Sequence, residues 1–174
     1  MATADCHRRV DTVFSAADLG ELSSYADFLR AQAAALLPVE EALEDAGAAS
    51  LFADWPSRRR GALLVADLAG LGFAPPAPVG RPWLATPAQA IGALYVLEGS
   101  RLGGALLKRS VPPHLPSEFL GGMCSASWQA LLVLMDAMLD SSEKLAAAIE
   151  TARRVFGLFE LAGRLHVDPG TAAA

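Results

Sequence analysis

The sequence has little cysteine, with only Cys6 and Cys124 among 174 residues. Their separation matches neither a paired metal-binding motif nor the dense cysteine framework of small secreted proteins. We therefore expect two free thiols in a reducing compartment, which indicates a cytoplasmic protein. The N-terminal segment also lacks the apolar core that a signal peptide needs.

Long hydrophobic runs and a basic excess are missing as well. No apolar stretch reaches the roughly 18 residues that cross a membrane, although hydrophobic residues make up 53% of the chain and the mean hydropathy is +0.34. The formal net charge is −5, whereas domains that bind nucleic acids are typically basic. We therefore expect neither a membrane nor a nucleic acid as a partner.

Motifs of several common enzyme classes are also absent. The sequence contains no Gly-x-Ser-x-Gly, no glycine-rich nucleotide loop, no pair of catalytic carboxylates and no cluster of His and Cys. Hydrolases and phosphate-transfer enzymes need one of these arrangements. The chemistry of this chain should therefore come from another source, such as a bound cofactor.

Helical patterning is what the sequence does contain. Apolar residues recur at helical spacing through most of the chain, and no segment alternates as a strand would. The sequence predicts an all-α, single-domain protein, with a helical domain over residues 1–165 and a frayed tail over 166–174. The predicted helices cover 3–15, 19–37, 39–46, 54–72, 87–109 with a cap at Thr86, 125–139 and 141–163, and proline-rich loops cover 73–87 and 110–122.

One predicted helix is unusual because it contains Gly99, Gly103 and Gly104. Each glycine inside a helix costs about 1 kcal/mol relative to alanine, so another interaction must offset the loss. Gly99 and Gly103 lie on one helix face, where they expose bare backbone. The spacing alone leaves three interpretations: a close crossing with another helix, a break between two helices, or a ligand against the backbone.

The first predicted helix contains a histidine that could bind a metal. His7 lies among Cys6, Val10 and Val13, at spacings that place it on the inward face. Asp11 follows one turn later, and its carboxylate could accept a hydrogen bond from one imidazole nitrogen, which leaves the other free. The same spacing fits a core histidine that is satisfied by its own helix.

Both segments resemble heme oxygenases. The run Leu-Glu-Gly-Ser-x-Leu-Gly-Gly from Leu97 to Gly104, with Tyr95 before it, resembles the distal helix of that family. It is most similar to the bacterial branch associated with phytochromes. The segment from Thr3 to Asp11, with a threonine four residues before His7 and an acid four residues after it, resembles the family's proximal helix.

The resemblance implies a fold and a binding site. The fold would be a heme-oxygenase-like helical bundle, with heme between the helix of His7 and the helix of residues 99–104. His7 would be the axial ligand of the iron, and Asp11 would orient its ring. The remaining residues implied in heme binding are Tyr95, Gly99, Gly103 and Gly104.

The resemblance also implies an activity. Heme would be both cofactor and substrate, and it would be cleaved to biliverdin, carbon monoxide and ferrous iron with electrons from an external reductase or ferredoxin. The catalytic residues would be Gly99 and Gly103, which leave room for oxygen, and Ser100, which stands where the mammalian form has an aspartate and would relay protons through water. A phytochrome that receives biliverdin would be a further partner.

Two other functions stay open at this point. The chain could bind a tetrapyrrole without turning it over, or it could be a helical interaction module in which the glycines only pack. Basic residues do not decide between them. Arg58, Arg59 and Arg60 are interpreted as a solvated helix face. By charge and neighbourhood, the candidates that would anchor the heme propionates are Arg8, Arg101, Lys108 and Arg109.

Overall fold

The protein's structure, a computed structural model, describes residues 2–121 and 125–167. Cys124 and most of the predicted tail therefore lie outside the described residues. Every regular element within them is helical, which confirms the predicted all-α fold. The helices are α1 (Ala4–Phe14), α2 (Leu22–Asp45), α3 (Ala48–Leu51), α4 (Trp55–Arg58), α5 (Gly61–Gly70), α6 (Pro87–Leu107), α7 (Ser125–Met138) and α8 (Ser142–His166), and a 3₁₀ turn (Lys108–Ser110) follows α6.

The long helix α8 lies at the centre of the bundle and packs against α1, α2 and α6. Its N-terminus is capped by Ser141, whose hydroxyl accepts a hydrogen bond from the Lys144 backbone. Gly163 does not end α8 as predicted. A Cβ at Gly163 would lie 2.6 Å from Val13 Cγ1. This glycine instead lets α1 approach α8, and the helix continues to His166.

The sequence predicts that Pro38 ends or kinks its helix, and the first of these alternatives is wrong, because α2 runs through Pro38 to Asp45. An interior proline removes its own donor, and its ring crowds the carbonyl oxygen of the preceding turn. On both sides of it Leu36, Val39 and Leu43 are fully buried, and the burial of such side chains outweighs one missing hydrogen bond. The result is one helix in place of the two predicted over 19–46.

The single helix predicted over 54–72 is also wrong, because α4 and α5 separate at Arg59 and Arg60. The buried carboxylate of Glu40, on α2, accepts hydrogen bonds from the backbone of Arg60 at 2.7 Å and of Gly61 at 3.0 Å. It thereby caps the start of α5 from another helix. Burial raises the pKa of Glu40, while these two backbone N–H groups favour its charged form.

A close helix crossing does exist on α6, but at Gly92. A Cβ at this position would lie 2.2 Å from the carbonyl oxygen of Ala148 on α8. The N-terminal half of α6 is therefore held against the central helix, beyond the capping box that Thr86 and Gln89 form at its start. Within the described part of the chain, no helix is long and apolar enough to cross a bilayer.

We expect Gly92→Ala to destabilise the protein by about 1–3 kcal/mol, since backbone atoms of α8 must move to admit the methyl group. In a chain of this size, each kcal/mol lowers the melting temperature by about 2–4 °C. The control is Gly157→Ala on the exposed face of α8, where the added methyl meets no other described atom within 4 Å. This variant should keep or raise the melting temperature. Equal melting of both variants would contradict the close crossing.

Candidate active site

A cleft of about 710 Å³ opens between α1, α2, α6 and α8, within the usual size range of small-molecule sites. Most of its lining is apolar, and a few polar side chains from different helices face it. The lining residues are Thr3, Ala4, His7, Val10, Asp11, Phe14, Phe28, Gln32, Tyr95, Val96, Gly99, Ser100, Leu102, Gly103, Leu107, Trp128, Phe156 and Phe159.

His7 lines this cleft, but it is not packed in the core as its spacing predicted. Its side chain is 59% exposed, because this face of α1 borders open space and Cys6 and Val13 supply the buried contacts. The Nδ1 atom lies 2.8 Å from Asp11 Oδ2, and the ring meets Phe156 edge-on. The carboxylate beside Nδ1 favours the tautomer that is protonated there and leaves Nε2 as the nitrogen that can bind a metal.

Gly99 and Gly103 present bare backbone to the cleft. Among the described residues, no heavy atom lies within 4 Å of the position that a Cβ would occupy on either glycine. The helix continues through both of them, so neither the predicted crossing nor a helix break accounts for the pair. Of the three interpretations, a ligand against the backbone is the one that agrees with this geometry.

The other two predicted residues of α6 differ in position. Tyr95 lines the cleft, and its ring packs against Trp128 on α7 with 5.7 Å between centroids. Gly104 points elsewhere, since a Cβ there would lie 3.6 Å from Leu120. Gly104 therefore faces the segment after α6 and is not among the residues that line the cleft, and its role in binding the cofactor stays a prediction.

Ser100 faces the cleft with its hydroxyl already engaged. Its Oγ donates to the Leu97 carbonyl at 2.8 Å and accepts from Arg60 Nη2 at 2.6 Å. The same guanidinium nitrogen donates to the Leu97 carbonyl at 2.9 Å. The Ser100 hydroxyl and the Leu97 carbonyl, on α6, and the Arg60 guanidinium, just before α5, therefore form one small hydrogen-bond network at the wall of the cleft.

The interpretation of residues 58–60 as a solvated face is wrong for two of the three arginines. Arg60 is 3% exposed and Arg58 is also buried, whereas Arg59 lies at the surface against Glu44. The Arg60 guanidinium stacks over the Phe119 ring, 4.8 Å from its centroid. Burial, with a smaller contribution from the charge of Arg101, lowers the pKa of Arg60 to about 10, so it remains a cation at neutral pH.

The predicted propionate anchors do not lie in the cleft. Arg101 is buried, donates to the carbonyls of Ser57 and Arg58 at 3.2 and 3.0 Å, and lies 3.7 Å from Glu98. Arg8 pairs with Asp5, and Lys108 lies 3.7 Å from Glu118. Neither these residues nor Arg109 belong to the cleft lining, so charge and neighbourhood alone were poor guides.

Gln32 is a cleft residue that the sequence did not single out. It lies on α2, is 8% exposed and lines the cleft. Its Oε1 has no hydrogen-bond partner in the part of the chain described here. A buried amide oxygen without a partner is costly, so its partner should come from whatever fills the cleft, such as a water molecule. The signal in the sequence was a glutamine on the apolar face of α2.

This set of residues suits a flat, largely apolar group that carries its own metal. Over residues 2–121 and 125–167, no three His, Cys, Asp or Glu side chains converge as a metal site would require. A single imidazole can instead complete the coordination of a metal already held by a macrocycle. The glycine backbone leaves space for such a ring, and the apolar lining favours its burial.

Comparisons with known proteins agree with this interpretation. A protein named heme oxygenase from Xanthomonas campestris pv. campestris is 31% identical over 146 residues, which cover 80% of this chain and 88% of that protein. The NO- and CO-bound heme oxygenase from Neisseria meningitidis has a similar structure, with a TM-score of 0.83, 26% sequence identity, and coverage of 95% of this chain and 88% of that chain. No protein-family model matches the sequence.

Proposed function

The chain belongs to the heme oxygenase family, and on that basis we propose that it cleaves heme to biliverdin, carbon monoxide and ferrous iron. One observation carries the proposal for this chain's own residues. A single cleft brings together a histidine oriented by an aspartate, on α1, and two glycines with open space before them, on α6. Heme, when bound, supplies the iron that activates oxygen and the porphyrin ring that is cleaved.

His7 is the proposed axial ligand, through Nε2. Asp11 Oδ2 lies 2.8 Å from Nδ1, and a carboxylate in this position favours the tautomer protonated at Nδ1, orients the ring and raises the basicity of Nε2. The edge of the His7 ring also rests against Phe156, which is itself buried on α8. These two contacts hold the imidazole in place although much of it is exposed.

Gly99 and Gly103 are the proposed distal wall. Without side chains at these positions, this face of α6 would leave room for heme and for oxygen. The polar side chains of the cleft lining include Ser100 on the same helix and Gln32 on α2. We propose that these two side chains hold water in the cleft, and that this water delivers protons.

The proposal extends to partners and location. A reductase or ferredoxin would supply electrons, since no electron carrier other than heme itself is implied by the residues of the cleft. The resemblance of residues 97–104 to the phytochrome-associated branch supports a phytochrome as the receiver of biliverdin. Cys6, a free and buried thiol, supports a reducing compartment such as the cytoplasm.

The test is the visible spectrum of the protein with hemin, followed by addition of an electron donor in air. We expect a Soret band that saturates at one hemin per chain, then its loss with formation of biliverdin and release of ferrous iron to a chelator. Catalase should be present, so that free hydrogen peroxide cannot produce the result. A stable Soret band would indicate a tetrapyrrole-binding protein without turnover, and no Soret band would indicate an interaction module.

A further inference from the structure

Arg60 has an unusual position for a cation, because it lies directly behind a residue of the cleft. It is 3% exposed, and its Nη2 reaches both Ser100 Oγ at 2.6 Å and the Leu97 carbonyl at 2.9 Å. It does not line the cleft itself. Any effect that it has on a bound ligand must therefore pass through Ser100 or through its charge.

The Leu97 carbonyl has more donors than it needs. In an α-helix it receives the backbone N–H four residues on, and here Arg60 and the Ser100 hydroxyl donate to it as well. A carbonyl oxygen has two lone pairs. The Ser100 proton can therefore leave Leu97 without leaving that oxygen unsatisfied.

The Ser100 hydroxyl differs from the Leu97 carbonyl because it both accepts and donates a hydrogen bond. It accepts a charge-assisted hydrogen bond from the guanidinium, and accepting such a bond polarises the hydroxyl and makes it a better donor. Arg60 donates to Oγ and is not among the residues that line the cleft, whereas Ser100 is. The proton of the hydroxyl therefore has two acceptors to choose between, the Leu97 carbonyl and a ligand in the cleft.

We propose that Arg60 is a positioning residue that makes the Ser100 hydroxyl a hydrogen-bond donor to whatever binds on the α6 side of the cleft. The proposal rests on the proposed function, because it takes a heme ligand as the acceptor. Arg60 donates to the Leu97 carbonyl in place of the Ser100 hydroxyl, and it also donates to Ser100 Oγ. The hydroxyl then turns its proton toward the ligand.

The rest of the structure keeps Arg60 in this place. Its guanidinium stacks on Phe119, and the backbone N–H of Phe119 donates to the buried carboxylate of Asp67 at 2.8 Å. The backbone N–H of Arg60 donates to Glu40. Two buried carboxylates on different helices therefore hold Arg60 in place. Asp67 on α5 fixes the backbone of Phe119, and Glu40 on α2 fixes the backbone of Arg60.

Fluoride binding to the ferric heme complex tests the proposal, because fluoride accepts hydrogen bonds and donates none. Optical titration gives its dissociation constant in four proteins: the unmodified chain, Ser100→Ala, Arg60→Met and the double variant. A lost hydrogen bond of ordinary strength should raise the constant roughly five- to tenfold in Ser100→Ala. Arg60→Met should raise it at least as much.

The double variant separates an effect of Arg60 that passes through the Ser100 hydroxyl from a direct effect of the Arg60 charge. If Arg60 acts through Ser100, Arg60→Met should have a clearly smaller effect in the Ser100→Ala protein than in the unmodified one. Additive effects would overturn the proposal, and so would unchanged or tighter fluoride binding in Ser100→Ala. Arg59→Met is the matched control: it removes a neighbouring cation that pairs with Glu44 at the surface, and it should leave the constant unchanged.

Two further measurements keep the test decisive. If Arg60→Met does not fold, Arg60→Lys replaces it: a lysine offers a point charge without the planar fork, so fluoride binding should weaken although the charge is kept. Heme binding without biliverdin formation would overturn the proposed function and leave the fluoride test intact. Failure to bind heme at all would overturn both.

Discussion

Replacing His7 by alanine should remove normal axial ligation and reduce biliverdin formation by at least about 100-fold. Loss of an outer partner of a metal-binding histidine already costs about 10–100-fold, and loss of the ligand itself should cost more. The heme-free protein should fold normally, because the side chain is 59% exposed and exposed substitutions usually change stability by less than about 0.5 kcal/mol. The measurements are the ferric spectrum, oxygen-dependent turnover and melting of the heme-free protein.

Two companion variants sharpen this test. His114→Ala removes an exposed histidine outside the cleft and should retain the spectrum and turnover of the unmodified protein. Asp11→Asn should lose about 10–100-fold, because the ring is no longer oriented by a carboxylate. Added imidazole should partly restore turnover in His7→Ala. An unaltered spectrum and full turnover in His7→Ala would exclude His7 as the ligand.

Gly103→Leu should reduce turnover, or hemin affinity, by at least about 100-fold while the heme-free protein melts no earlier. Leucine improves helix propensity by at most about 1 kcal/mol, and no described heavy atom lies within 4 Å of the Cβ position. The added side chain projects into the volume proposed for heme and oxygen, where a misplacement of about 1 Å costs about 10²-fold.

The control is Gly157→Leu on α8, where the Cβ position also meets no described atom within 4 Å but does not face the cleft. This variant should retain turnover, so any effect special to Gly103 comes from the cleft. If the glycine served packing instead, overfilling a crossing would cost roughly 1–3 kcal/mol of stability. Early melting of Gly103→Leu with normal turnover per folded molecule would refute the distal wall.

The all-helical fold and the candidate residues on α1 and α6 were accessible from sequence because they depend on local patterns. Helical spacing, the cap at Thr86 and the pair Gly99–Gly103 are all properties of one short segment. The position of the close crossing was not accessible in this way. Gly92 is one of several small residues in its helix, and only the presence of Ala148, far along the chain, makes it indispensable.

Arg60 illustrates the same limit for charged residues. In isolation, a run of three arginines favours a solvated face. The groups that make burial of Arg60 tolerable include Ser100, the Leu97 carbonyl and Phe119, which lie at least 37 residues away in sequence. The cost of removing a cation from water can be judged only when its partners are known. The candidates for propionate anchors were chosen by charge, which says nothing about direction, and none of them lines the cleft.

The two halves of α6 are supported differently, and this difference has a consequence for the lifetime of the protein in a cell. The half around Gly92 is held by α8, whereas the cleft face of the half after Gly99 would be covered by the substrate. Bound substrate stabilises the folded state by mass action, by about 2.7 kcal/mol when its free concentration is 100 times the dissociation constant. Differences of this size change steady-state abundance several-fold through proteolysis of opened molecules. An enzyme of this design would persist while heme is plentiful and would be degraded faster once it had consumed its supply.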